Sequence, residues 1–197
     1  MSNNFSESEI DLLKEMINVG GGNVATSISE IFGKRVHMNV PFINQFTYEQ
    51  VFQTVMPAEK FVKAVQIQVV GDLEGQFLFI LDESGISRLD QAYKEILKKD
   101  KKLANSAVTE LANILVNQFL NAIIQLFDLS AQSLVPILAE DMFGSLLSSA
   151  YLEEFQYDDL VWIFKNEFWI EEQKWESALY FVPHSGNLEK LITEINF

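Results

Sequence analysis

Asp11-Leu-Leu-Lys-Glu15-Met-Ile-Asn18, followed after 22 residues by Pro41, and Ser106-Ala-Val-Thr-Glu110-Leu-Ala-Asn113, followed after 22 residues by Pro136, are one pattern written twice. Glu15, Asn18 and Pro41 recur 95 positions later as Glu110, Asn113 and Pro136. Around each motif the apolar spacing predicts a long helix. Ile10, Leu13, Ile17, Val24, Ile28, Ile31 and Phe32 make the stripe of the first, over about Ser6 to Phe32. Ser6 with Glu9 fits a capping box, and Phe5 with Ile10 fits the accompanying staple. Asp100 is the expected N-cap of the second helix, which runs from Lys101 to about Phe127.

Working outward, each helix precedes a run of strands. Expected strands in the first half are Val36–Ile43, Val51–Met56, Val62–Val70 and Gly75–Leu81, with a turn at Gly71-Asp72. A helix from Ser84-Gly85 to about Lys99 closes that half. The second half predicts a strand at Ser133–Leu138, a short helix over Met142–Ala150, strands at Leu160–Glu171 and Lys174–Val182, and a helix from Gly186 to Ile195. Phe77-Leu-Phe-Ile-Leu-Asp-Glu-Ser-Gly85 resembles Ala178-Leu-Tyr-Phe-Val-Pro-His-Ser-Gly186 at an offset of 101, six more than the motifs show. One enlarged loop in the second half accounts for the difference. No Pro/Gly/Ser-rich linker divides the halves. The fold expected is a single α+β domain over residues 1–197, a pseudo-symmetric duplication of repeats at about 1–99 and 100–197. These share a sheet core, with the two long motif-bearing helices on one side.

Composition narrows the function. The 197 residues carry 28 acidic against 14 basic side chains, a formal charge of −14, and nearly half are apolar. Such a surface repels the phosphates that a nucleic-acid binder must neutralise, and an anionic membrane surface is disfavoured for the same reason. Without cysteine there are no disulfides, thiolate nucleophiles or Cys-bearing zinc sites. His37 and His184 stand at no ligand spacing from another candidate, so no metal site is expected. No basic, apolar leader is evident at the N-terminus, and no stretch reaches the roughly 18 apolar residues that span a bilayer. A cytoplasmic address is expected.

At about 100° per residue, Asp11, Glu15 and Asn18 share one helix face, and Ser106, Glu110, Asn113 and Asn117 repeat that placement. For either helix alone, a solvated polar face is the ordinary reading. Asn is a mediocre helix former, however, and solvent faces favour Lys, Glu, Gln and Ala. Duplication explains how the set arose twice, but not why these residues stayed while their surroundings drifted.

The pattern Asp/Ser-x3-Glu-x2-Asn-x22-Pro is similar to the signature of the CheC/CheX/FliY phosphatases of chemotaxis, matched here by both halves. Gly20-Gly-Gly-Asn23 also resembles the glycine-rich segment after the first Asn of CheC proteins. Two intact motifs without an added flagellar-switch domain resemble CheC most. The resemblance implies a hydrolase acting on the aspartyl phosphate of a CheY-like response regulator. In it Asn18 and Asn113 would orient the attacking water, while Glu15 and Glu110 would pair with the regulator's active-site Lys. Asp11 and Ser106 would support from the same face, and Pro41 and Pro136 would shape the neighbouring strand. It implies no cofactor of the chain's own, since Mg²⁺ sits on the regulator, and it admits the receptor deamidase CheD as another partner. The alternative is thus a non-catalytic module that binds such a partner. Family members commonly place a small residue before the Asn, as Ala112 is; Ile17 departs from this, which favours the second site.

Other features have plainer readings. Glu140-Asp141, Asp158-Asp159 and Glu171-Glu172 fit turn or edge positions better than metal sites, because neighbours on a strand point to opposite faces. Gly20–Gly22 lacks the preceding strand and the Gly-Lys-Ser/Thr of a phosphate loop; a break or a close backbone approach fits it better. Trp162, Phe164 and Phe168 share parity and are expected on one face of a sheet core, with Trp169 and Trp175 nearby.

Overall fold

Phe77, Phe79 and Leu81 pack into one apolar layer and Leu78 and Ile80 into another, so every side chain of this strand is buried. A strand with two-residue alternation can bury both sets only at the centre of a sheet that is covered on both faces. The computed structural model describes residues 11, 14–15, 18, 25–26, 29–30, 33–81, 101–154, 160–170 and 173–187. Among these residues there is a seven-stranded, wholly antiparallel sheet. Its strands are β1 (Val36–Thr47), β2 (Phe61–Gly71), β3 (Gly75–Leu81), β4 (Ala131–Ser133), β5 (Ile137–Met142), β6 (Leu160–Ile170) and β7 (Gln173–Pro183). The helices are α1 (Tyr48–Thr54), α2 (Lys101–Phe127) and α3 (Phe143–Glu153). The fold is α+β, as the sequence indicates.

Spatial order is β1-β6-β7-β3-β2-β4, with β5 also on β2. The hairpins β2–β3 and β6–β7 meet at the centre through β3 and β7. Each half's leading strand is then paired with the other half's hairpin: β1 lies on β6, and β4 and β5 lie on β2. On one face Val65, Ile67 and Val69 of β2 and Trp162, Phe164 and Phe168 of β6 belong to one core layer with α2, whose Phe119 ring meets that of Phe164. The expected grouping of those three aromatics is therefore met. On the other face α1 and α3 cover Val62, Ala64, Ile163, Tyr180 and Val182.

Both proline positions interrupt an edge ladder. In β1 the register slips between Asn39 and Phe42, three residues facing the two-residue step from Glu167 to Lys165. Ser133 to Ile137 spans four residues opposite the three-residue step from Val69 to Gln66. Each edge therefore holds one extra residue, and Pro41 and Pro136 lie within those bulges. Proline has no N–H to give a ladder, so a bulged edge is where a sheet tolerates it.

Two strand expectations need correction. Val51–Met56 is not a strand: its first part belongs to α1, where Thr47 Oγ1 accepts from Gln50 N while Gln50 Oε1 accepts from Thr47 N. That reciprocal cap starts a helix that places Val51, Phe52 and Val55 against the core, overriding their β propensity. The expected strand Ser133–Leu138 is two strands, divided by the bulge at Leu134–Pro136. By contrast α2 and β3 keep the expected bounds.

By length and composition alone, Lys102–Gln125 within α2 is apolar enough to cross a membrane, which the sequence reading did not allow for. Leu111, Leu115, Val116, Phe119 and Leu120 are instead buried against the sheet. The first helix is described at single positions: Asp11, Lys14, Glu15, Asn18, Ala25, Thr26, Ser29 and Glu30 are helical, and Ser29 Oγ accepts from Val36 N at the start of β1. The capping box at Ser6, the Gly20–Gly22 run, the helix from Ser84 to Lys99, the Asp100 cap and most of the helix after Gly186 lie outside the described residues.

Candidate functional site

A 27-residue helix laid on a sheet must bury one side and leave the other to solvent. On α2 the buried side is Val108, Leu111, Ala112, Leu115, Val116 and Phe119, and the opposite side bears Ser106 and Glu110, both exposed. Asn113 and Asn117 sit at the boundary, half-buried. The expected ridge is therefore present and faces outward. In the first helix Asp11 and Glu15 are exposed and Asn18 is half-buried, the same gradation. Lys14 Nζ reaches Asp11 Oδ1 at 3.3 Å, an exposed pair of small energetic weight.

Asn113 is held by its neighbours. Asn117 Nδ2 donates to the main-chain oxygen of Asn113 at 2.8 Å and to its Oδ1 at 3.0 Å. Ser133 Oγ of β4 in turn donates to Asn117 Oδ1 at 3.0 Å. A relay thus runs from the sheet edge through Asn117 to the carboxamide of the motif. Nearer the start of the helix, Lys63 Nζ bonds Asn105 Oδ1 at 2.8 Å and Glu140 Oε1 at 2.9 Å, tying α2 to β2 and β5. Ser106 Oγ donates to Lys102 O at 3.0 Å, a contact within its own helix.

The structure therefore brings Ser106, Glu110 and Asn113 onto one face, and sets Pro136 in the bulge that follows Ser133. Sequence reasoning included Asn117 in the ridge without giving it a task. It missed Ser133, Lys63 and Asn105. Their contacts cross between elements and depend on how α2 lies on the sheet, so no local spacing announces them.

Among the described residues no three His, Asp or Glu side chains gather as a metal site. Glu140, considered above with Asp141 as a metal carboxylate, is the ion-pair partner of Lys63. A separate titratable pair closes the C-terminal end of α3: His184 Nδ1 lies 3.2 Å from Glu154 Oε2. Burial pushes the Glu154 carboxyl above the usual carboxylate range; His184 pulls it down, and Glu153 and Glu74 push it further up.

No family model matches the chain. Along 204 aligned residues, covering 98% of this chain and 96% of the relative, it is 24% identical to "CheY-P phosphatase CheC" of Bacillus subtilis (strain 168). Among solved structures, FliY of Thermotoga maritima is similar with a TM-score of 0.69 at 19% identity, covering 98% of both chains. The FliM middle domain of Vibrio alginolyticus gives a TM-score of 0.62 at 9% identity, covering 93% of this chain and 99% of that one. At these identities the structural likenesses establish the fold. The resemblance carried by the two motifs thus extends over the whole chain, to CheC in sequence and to FliY in architecture.

Proposed function

We propose that this CheC-like chain is a phosphatase that hydrolyses the aspartyl phosphate of a CheY-like response regulator in chemotaxis signalling. The observation that carries the reading is the outward ridge of α2, with Glu110 exposed and the Asn113 carboxamide fixed one turn further on. The similarity to a CheY-P phosphatase over 98% of the chain supports it. A fold does not by itself carry an activity, so the reading rests on the residues of the site.

An acyl phosphate is already an activated group, so hydrolysis mainly requires a water held in line with the breaking P–O bond. The water oxygen bonds phosphorus, the carboxylate of the regulator leaves, and inorganic phosphate departs. A carboxamide suits this work because its oxygen accepts from the water while its NH₂ faces phosphoryl oxygens. Asn113 and Asn18 take that part. Glu110 and Glu15 form charge-assisted hydrogen bonds with the regulator's Lys and set the docking register. Metal and lysine belong to the regulator, and the encounter takes place in the cytoplasm.

Phosphate release from a phosphorylated CheY-like receiver domain tests this directly. The protein should accelerate release, and Asn18→Ala combined with Asn113→Ala should remove the acceleration while the circular dichroism spectrum is kept. Acceleration persisting in that double variant overturns the roles given to the two Asn residues. Of the single variants, Asn113→Ala should cost more than Asn18→Ala.

A further inference from the structure

We infer that Asn117 and Ser133 are positioning residues for the second site: they set which end of the Asn113 carboxamide faces outward. The inference rests on the phosphatase reading above. A main-chain carbonyl only accepts hydrogen bonds, so the end of Asn117 that meets the Asn113 carbonyl must be its NH₂. Its oxygen then lies at the other end, where the Ser133 hydroxyl donates to it. Because Asn117 offers N–H, Asn113 must answer with Oδ1, and the Asn113 NH₂ is turned away from Asn117. One lone pair of Oδ1 is used in this way and the other is left for a water.

A carboxamide otherwise rotates freely between two orientations that exchange acceptor and donors. In an in-line attack those orientations are not equivalent: one presents an acceptor to the water and the other does not. The relay selects one before any partner arrives, which is preorganisation of the catalytic group. An Asn in mid-helix is a poor choice for helix stability, and orienting its neighbour gives it a reason to be there. The first motif carries different residues at the corresponding positions. Ninety-five residues earlier, Gly22 stands where Asn117 is and Met38 where Ser133 is, and neither has a side chain that can hydrogen-bond an amide in this way.

Phosphate release at saturating and limiting phosphorylated receiver domain separates this role from others, using the full chain with Asn18→Ala so that only the second site reports. Asn117→Asp keeps an oxygen for Ser133 but faces Asn113 Oδ1 with a carboxylate. It should lower kcat about tenfold while KM stays within about twofold. Ser133→Ala should lower kcat in the same direction by less. In the chain that keeps Asn18, where the first site still reports, adding Asn117→Asp to Asn113→Ala should cost nothing further, because the second site has no carboxamide left to orient. If the wild-type chain gives no acceleration with any receiver domain, the phosphatase reading falls and this inference with it. Acceleration by the wild type that is lost in the Asn18→Ala parent, or unchanged on adding Asn117→Asp, overturns the positioning role alone. So does an Asn117→Asp loss equally large in the Asn113→Ala background, or one that appears only in KM.

Discussion

Two stretches, 36–47 and 131–142, occupy opposite edges of the sheet, and each leads into a short helix on the same face. Both carry a proline in a one-residue bulge, and α1 and α3 begin 95 residues apart, at Tyr48 and Phe143. Their details part at the helix starts. Thr47 caps α1 through a reciprocal bond with Gln50, whereas Met142 makes no side-chain cap for α3. There the first free N–H groups are met by neighbouring backbone: Phe143 N donates to Lys60 O and Gly144 N to Ala58 O, each at 2.8 Å. The same need, satisfying the orphan donors of a helix N-terminus, is met by a side chain in one half and by a loop in the other. The two stretches share an architecture and differ in local chemistry. The Asn117–Ser133 relay, set against Gly22 and Met38, is the same lesson at the candidate site.

The comparison can be broken most forcefully at the seat of α2. Phe119 is fully buried with its ring 4.7 Å from that of Phe164, while Val24 stands 95 residues earlier. Phe119→Ala should cost about 3–5 kcal/mol of stability, read from urea denaturation. A loss below about 1 kcal/mol would mean that α2 is not held there as described. The caps give a smaller contrast. Thr47→Ala should cost about 1 kcal/mol, and Met142→Ala, which removes no cap bond, should stay within about 0.5 kcal/mol in the same experiment. Equal losses would erase the difference between the two helix starts.

The smallest effect concerns pH. With the folded-state pKa of Glu154 raised by burial, its neutral form is favoured in the native protein. Its contribution to stability is therefore greatest below the ordinary carboxylate range, and is lost as pH rises from there through the raised folded value. Glu154→Gln should flatten that part of the profile and be less harmful at pH 7 than at pH 4, measured by thermal unfolding across that interval. A stability difference that stays constant with pH would remove Glu154 from the account.

Much of this was legible in the residues because it depends on long, regular patterns. The apolar stripe of α2 fixes both its ends and its buried face, and the continuous apolar run of β3 marks a central strand. The motif pair Glu110 and Asn113 could be read because residues three apart on a helix share a face. Residues 48–54 misled because Val, Phe and Thr favour strands, while the decisive signal was Thr47 with Gln50 three positions on. The division of β4 from β5 was hidden because a bulge is a matter of pairing with β2. Asn117 and Ser133, 16 residues apart, meet only through the seating of α2 on the sheet edge. Exchange of leading strands between the halves was likewise beyond reach, since either hairpin offers a plausible edge.

That exchange bears on how the chain is made. A ribosome that has released β1 must add the 112 residues between Thr47 and Leu160 before the strand that pairs with it begins to emerge. At about 5–20 residues per second the wait is on the order of ten seconds, with the backbone donors and acceptors of a nascent edge unsatisfied by their final partner. The proline bulge at position 41 then gains a second use during synthesis, as an obstacle to pairing with strands of other nascent chains.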